Sequence, residues 1–255
     1  MNIVSIIPAR MGSSRFPGKP MAEILGMPMI GHVYKRVKMS KLLSEVYVAT
    51  CDKEIYEYVE SIGGKAVMTS DCHERCSDRC AEAMLKIEDS ENKKIDIMVM
   101  VQGDEPLTFP EMIDEAVTPM IDDKDILITN LVGDLDSIVA FENPNEVKVV
   151  MDKDNHALYF SREPIPSRKK GVLEVPMKKQ VCVIPFTRDF LLKYNEMEPT
   201  PLEIIESVDM MRILENGMKV KMVSTEFITK AVDTKEDLEL VVTMMKQDIL
   251  YEIYK

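Results

Sequence analysis

The chain of 255 residues has no tryptophan and no run of 18 apolar residues. The second absence excludes a membrane-spanning helix. No cationic stretch precedes the first apolar run at Ile3, so a secretory signal is not expected either. Positive charge is in deficit: 32 Lys and Arg against 44 Asp and Glu leave a formal charge of −12. That balance argues against nucleic acid or an anionic membrane surface as partner. Cysteine is sparse and odd in number (Cys51, Cys72, Cys76, Cys80, Cys182). An odd count in a chain of this size reads as cytoplasmic thiols, not a disulfide framework. Internal repeats, low-complexity tracts and linkers are also missing, so residues 1–255 read as one domain. Its 45% hydrophobic and 30% charged residues are ordinary for a globular protein, and 21 methionines make a soft core.

Against the acidic background stands a cationic loop. The strand-length run Ile3–Ile7 empties into Pro8-Ala9-Arg10-Met11-Gly12-Ser13-Ser14-Arg15-Phe16-Pro17-Gly18-Lys19-Pro20. Glycines admit close approach of the backbone, serines donate hydrogen bonds, and Arg10, Arg15 and Lys19 balance phosphate charge. The spacing matches neither G-x-x-x-x-G-K-[ST] nor G-x-G-x-x-G. A strand-to-loop junction is where open α/β sheets bind ligands, which favours a nucleoside triphosphate over a plain surface turn. A second signal is Gln102-Gly103-Asp104-Glu105-Pro106, a carboxylate at the end of the apolar run Ile95–Gln102. Such a carboxylate suits Mg²⁺, which takes hard oxygen ligands and shares phosphate oxygens; a strand-end turn is the plainer alternative. Val232-Asp233-Thr234-Lys235-Glu236-Asp237-Leu238 is weaker, because an ordinary helix start looks the same.

Periodicity supplies the frame. Helices are expected at 29–39, 53–62, 77–87, 111–120, 188–194, 202–215 and 235–254, the second capped by Asp52 and the third by Ser77-Asp78. Strands are expected at 3–7, 45–50, 65–68, 95–102, 126–132, 146–151, 157–160, 180–186 and 219–224. The order predicts an α/β, Rossmann-like, doubly wound and mostly parallel sheet, with an inserted strand-rich lobe at about 134–186 forming a flap or subunit interface.

The three segments, in this order, resemble the cytidylyltransferases that activate 3-deoxy-manno-octulosonate (Kdo). Supporting matches are Ala49–Asp52, Lys148–Val150, Ala157–Arg162 with Ile165-Pro166, and Leu214–Gly217. The resemblance implies CTP and Mg²⁺ as requirements, pyrophosphate as product and a homodimer built through the lobe. It implies Pro8, Ala9, Arg10, Gly12, Ser13, Ser14, Arg15, Lys19, Arg79 and Gln102 as nucleotide contacts. Asp104 and Asp233 are implied as metal ligands, catalytic together with Arg10 and Lys19.

The chain also departs from the family pattern. His-x-Ser-Gly-Thr-Asp-Arg becomes His73-Glu74-Arg75-Cys76-Ser77-Asp78-Arg79. His-x-Gly-Ile-Tyr becomes Gln180-Val181-Cys182-Val183-Ile184, and a Glu-Gln pair becomes Asp209-Met210. The last two segments face the acceptor in the family, so the nucleotide half reads as intact and the acceptor half as rewritten. The expected acceptor is an anionic acid: a modified Kdo, another sugar acid, a phosphonate, or Kdo itself. A non-catalytic nucleotide-binding subunit and a different nucleotide donor are the competing readings.

Other clusters carry less. Cys72, Cys76 and Cys80 are four apart, but a cap at Ser77-Asp78 would break their helix, which favours free thiols over zinc. His32 and His156 lack partners at motif spacing. Arg168-Lys169-Lys170 and Lys178-Lys179 read as a solvated loop, or as a lid offering a cation.

Overall fold

A computed structural model describes residues 1–13, 15–171 and 174–255. Strand β1 (Ile3–Ala9) leads through a two-residue hairpin, β2 (Glu23–Ile24) and β3 (Met27–Pro28), into helix α1 (Met29–Val37). Then come β4 (Glu45–Thr50), α2 (Lys53–Ser61), β5 (Lys65–Met68), α3 (Cys76–Glu91), β6 (Ile97–Val101) and α4 (Pro110–Asp122). The remainder is β7 (Thr129–Asp134), α5 (Ile138–Glu142), β8 (Lys148–Met151), β9 (Ala157–Ser161), β10 (Lys178–Val181) and β11 (Val183–Thr187). It closes with α6 (Arg188–Asn195), α7 (Pro201–Glu206), α8 (Met210–Glu215), β12 (Lys221–Ser224), α9 (Lys235–Met245) and α10 (Ile249–Tyr254).

The first sheet runs β11-β6-β1-β4-β5, parallel except for β11. Alternate residues of one strand feed different cores, as the period of two requires. Val4 and Ile6 pack with Cys80, Met84 and Ile87 of α3. Ile3 and Ile7 pack with Val33 of α1, Ile55 of α2 and Ile113 of α4. Helices on both faces explain why β1 and β6 are buried along their whole length. Since β1, β4 and β6 are parallel, Arg10, Cys51 and Gln102 emerge at one edge of the sheet, and the site forms there.

Five expectations on elements are corrected. The single strand expected at 180–186 is two: β10 pairs with β7 while β11 pairs with β6, and the chain changes sheets at Cys182. Strand β7 belongs to a second sheet, ordered β12-β7-β10-β8-β9, instead of continuing the parallel one. The helix expected at 202–215 breaks at Ser207, whose φ of 52° lies in the left-handed region. The final helix breaks before Asp248, which accepts a hydrogen bond from Tyr251 N and pairs with the buried Arg36. Helix α3 starts at Cys76, so Ser77 is not its cap; the Ser77 hydroxyl instead donates to Asp209. Among the described residues no helix is long and apolar enough to cross a membrane.

Candidate active site

The cationic loop is held by its own backbone and by one distant carboxylate. Gly18 N donates to Met11 O at 2.9 Å, with Gly18 at φ 76°, a conformation that disfavours other residues. Asp52 does not cap α2 with its side chain; its Oδ2 accepts from Met11 N at 2.7 Å. Ser13 Oγ accepts from Phe16 N at 3.3 Å. Ser14 lies outside the described residues.

Lys19 joins the three segments. Its Nζ donates to Asp104 Oδ2 at 2.5 Å, to Val232 O at 3.1 Å and to Asp233 Oδ1 at 3.5 Å. Arg15 Nη2 lies 2.9 Å from the same Asp233 oxygen. Burial pulls the Lys19 ammonium down, but Asp104 and Asp233 outweigh it, so its pKa is raised and the charge is kept. Val232 N donates to Asp104 O at 2.9 Å, fastening the two carboxylate segments through the backbone. Asp233 is free of capping duty because Thr234 and Asp237 form the capping box of α9. Gly103 is required by proximity: a Cβ there would stand 2.9 Å from Pro8 O, too close for the two strand ends to keep their approach.

Two adjoining cavities open at this edge. One, about 360 Å³, is walled by Pro8, Ala9, Arg10, Gly12, Ser13, Arg15, Lys19, Gln102 and Asp104. The other, about 300 Å³, shares Arg15, Cys76, Gln102, Asp104 and Ser207 with the first and adds Asp233. Arg75, Cys76, Gln180, Ile184, Asp209 and Met210 also line it. Every one of these six is a position where the sequence departs from the pattern it resembles. A larger hollow of about 480 Å³ lies elsewhere, among Lys94, Asp96, Leu127 and Arg188, apart from these carboxylates.

Arg79 does not line the larger of the two adjoining cavities, but it lines a small hollow beside it with Pro8, Ala9, Arg10 and Cys76. Its guanidinium is buried and donates to Thr69 Oγ1 at 2.5 Å and to Ser70 O at 3.2 Å, holding the segment that precedes α3. Cys76 and Cys80 share α3, contrary to the expected break, yet the thiols do not converge on a metal site. Cys76 donates to Gln102 Oε1 at 3.4 Å and Cys80 to Ile6 O at 3.9 Å. Burial pushes the Cys76 thiol up to about 11 and Cys182 well above its usual value, so both are neutral. Burial likewise pushes Glu105 up to about 7, against the pull of Lys179.

Sequence reading did not find Asp52 as a tether or Arg75 as a cavity residue. Lys179, read as part of a solvated loop, lines the second cavity, 3.0 Å from Glu146. Arg162 lines it too, its Nε donating to Glu206 O at 2.7 Å. No local pattern announces these roles, because each partner is remote in sequence.

A family model described as Cytidylyltransferase matches residues 4–220. The 3-deoxy-manno-octulosonate cytidylyltransferase of Geobacter metallireducens is 43% identical, over 97% of this chain and 99% of its own. The enzyme of that name from Fusobacterium nucleatum is 41% identical, over 97% and 98%. Among solved structures, a CMP:2-keto-3-deoxy-manno-octonic acid synthetase complexed with CTP matches with a TM-score of 0.89 at 36% identity, covering 97% of this chain and 99% of that one. The 4-diphosphocytidyl-2C-methyl-D-erythritol synthase of Anaerococcus prevotii matches with a TM-score of 0.62 at 14% identity, over 96% of each, and shows the fold alone.

Proposed function

The chain belongs to the cytidylyltransferase family, and from that premise we propose that it transfers cytidylyl from CTP to an anionic sugar acid related to 3-deoxy-manno-octulosonate. The supporting observation is that Lys19 ties Asp104 to Asp233 where the two cavities meet. An acceptor oxygen attacks the α-phosphorus, the bond to the β-phosphate oxygen breaks, and pyrophosphate leaves.

The difficulty in this reaction is charge, since an acid must approach a triphosphate. Arg10, Arg15 and Lys19 face the nucleotide cavity and offset the phosphates and the leaving pyrophosphate. Pro8, Ala9, Gly12 and Ser13 shape its wall, and Gln102 stands at the junction of nucleotide and acceptor. Lys179 and Arg162 bring positive charge to the acceptor.

Asp104 and Asp233 fit Mg²⁺: both present hard oxygens, and both already reach one ammonium. An ion held by these two carboxylates would supply Lewis-acid polarisation of the α-phosphoryl group.

The reaction fits a cytoplasmic setting, where CTP is made, and the five cysteines are free thiols. Pyrophosphate release measured with CTP, UTP, ATP and GTP against a panel of sugar acids and phosphonates tests donor and acceptor together. We expect CTP with a sugar acid to dominate. Asp104→Asn lowers turnover roughly 10³-fold, the scale of losing a transition-state charge contact, with melting little changed. Substantial CTP-dependent release by that variant would refute the assignment.

A further inference from the structure

We propose that the preferred acid carries an apolar, deoxygenated portion distal to its attacking oxygen; this inference rests on the cytidylyl-transfer reading above. The second cavity has two chemically different walls. Where it meets the nucleotide cavity it presents Arg15 and Asp104, with Asp233 paired to Arg15. Away from that junction it presents Met100, Ile184, Val208 and Met210, which line the second cavity and not the first. All four are at most 4% exposed and belong to the main hydrophobic core. Ile184 and Met100 are paired in register across β11 and β6, so this wall is built on the sheet itself.

Cys76 and Cys182 complete the apolar surface as neutral thiols, which behave as small hydrophobes. Several polar groups of this cavity are already engaged, Glu105 Oε2 being a buried exception without a partner among the described residues. Arg75 Nη1 is 2.9 Å from Asp209 Oδ1, and Ser77 Oγ donates to the other Asp209 oxygen at 3.3 Å. The Gln180 amide donates to Asn130 Oδ1 at 2.6 Å. A ligand hydroxyl placed on this wall loses its bonds to water and gains few in return, a loss of roughly tenfold or more in affinity for each hydroxyl. A methylene or methyl in the same place gains by burial.

The test compares 3-deoxy-manno-octulosonate with analogues in which hydroxyls far from the carboxylate are replaced by hydrogen or methyl. Pyrophosphate release from CTP and Mg²⁺ should show kcat/KM at least roughly tenfold higher for a deoxygenated analogue. Met210→Gln and Ile184→Tyr each return a hydrogen-bonding group to the wall and should shrink that ratio. Equal or better use of the fully hydroxylated acid by the unaltered enzyme overturns the inference. Calorimetric binding of both acids beside a non-hydrolysable CTP analogue decides the same preference without turnover. Binding selectivity without release would therefore count against the transfer reading alone.

Because Met210 and Ile184 are core residues, the deciding readout is calorimetry on the unaltered chain, which should give a Kd at least roughly tenfold lower for the deoxygenated analogue than for the hydroxylated acid. Equal affinity for the two overturns the inference.

Discussion

Lys19 makes neighbours of two aspartates that would otherwise repel. Its Nζ lies 2.5 Å from one and 3.5 Å from the other, and its side chain is only 15% exposed. A partly buried ammonium in that position works as a point charge, so its compactness matters as well as its sign. Lys19→Ala removes the charge that offsets leaving pyrophosphate and leaves the carboxylates without it. We expect kcat/KM to fall about 10²-fold, and Lys19→Arg to recover only a small part of that loss. Unchanged steady-state kinetics in the alanine variant would remove Lys19 from the machinery. Arg79 works differently: its guanidinium donates to Thr69 and Ser70, holding the segment before α3 beside Arg10.

At the scale of elements, the site consists of loops at the ends of parallel strands, and their shape depends on ties between them. Asp52 occupies the position before α2 where a cap would stand, yet its carboxylate reaches across to Met11 N at 2.7 Å. The amino end of one helix thereby sets the path of the nucleotide loop. Replacing Asp52 by Ala removes a hydrogen bond of about 1 kcal/mol and loosens that loop. The expected outcome is a KM for CTP raised several-fold with kcat nearly kept; a fall in kcat at constant KM would show that the tether does something else. Ser207 illustrates the same point for a helix break. With its φ of 52° it ends α7, and the Glu206 carboxylate then receives Tyr159 OH, Ser161 Oγ and Arg162 N. That turn places Val208, Asp209 and Met210 on the second cavity.

The whole molecule closes on itself through its last two helices. Val232 lies in a core with Ile24, Met29, Leu107, Val241 and Met245, so the carboxy-terminal helices hold Asp233 to the nucleotide loop. Beneath α10, Arg36 Nε donates to Tyr254 OH at 3.0 Å, and that hydroxyl is 2.9 Å from His32 Nδ1. His32 Nε2 faces Ile24 O at 2.8 Å, so the neutral ring donates there and accepts from the tyrosine. Burial lowers the His32 pKa below 6.5, and the nearby Arg36 adds to the effect. Below 6.5 the unfolded chain therefore binds a proton that the folded chain refuses. The contribution of His32 to stability is complete above that value and declines as pH falls through it toward the lower folded value. Melting temperature should drop between about pH 7 and pH 5, and His32→Gln should flatten that decline. An identical slope in the variant would place the acid sensitivity elsewhere. Homodimerisation through the lobe is a separate prediction: exposed Leu158 on the edge strand β9 and exposed Val139 are apolar surface for a partner copy to cover. Light scattering should give twice the chain mass, and Leu158→Lys should lower it.

Strands β1, β4 and β5 and the first helices were legible in the sequence because periodicity and turn chemistry act over a few neighbouring residues. The cationic loop and the Asp104 strand end were legible for the same reason, each carrying its whole signal within one contiguous segment. Tertiary structure alone decided the rest. It divided 180–186 between two sheets, because Val181 pairs with Leu131 while Val183 pairs with Val101. It buried Arg79, bent the chain at Ser207, and brought Asp233 to Lys19 across 214 positions. Contacts at that separation leave no periodic trace, since what selects them is the packing of cores and the need of each buried charge for a partner.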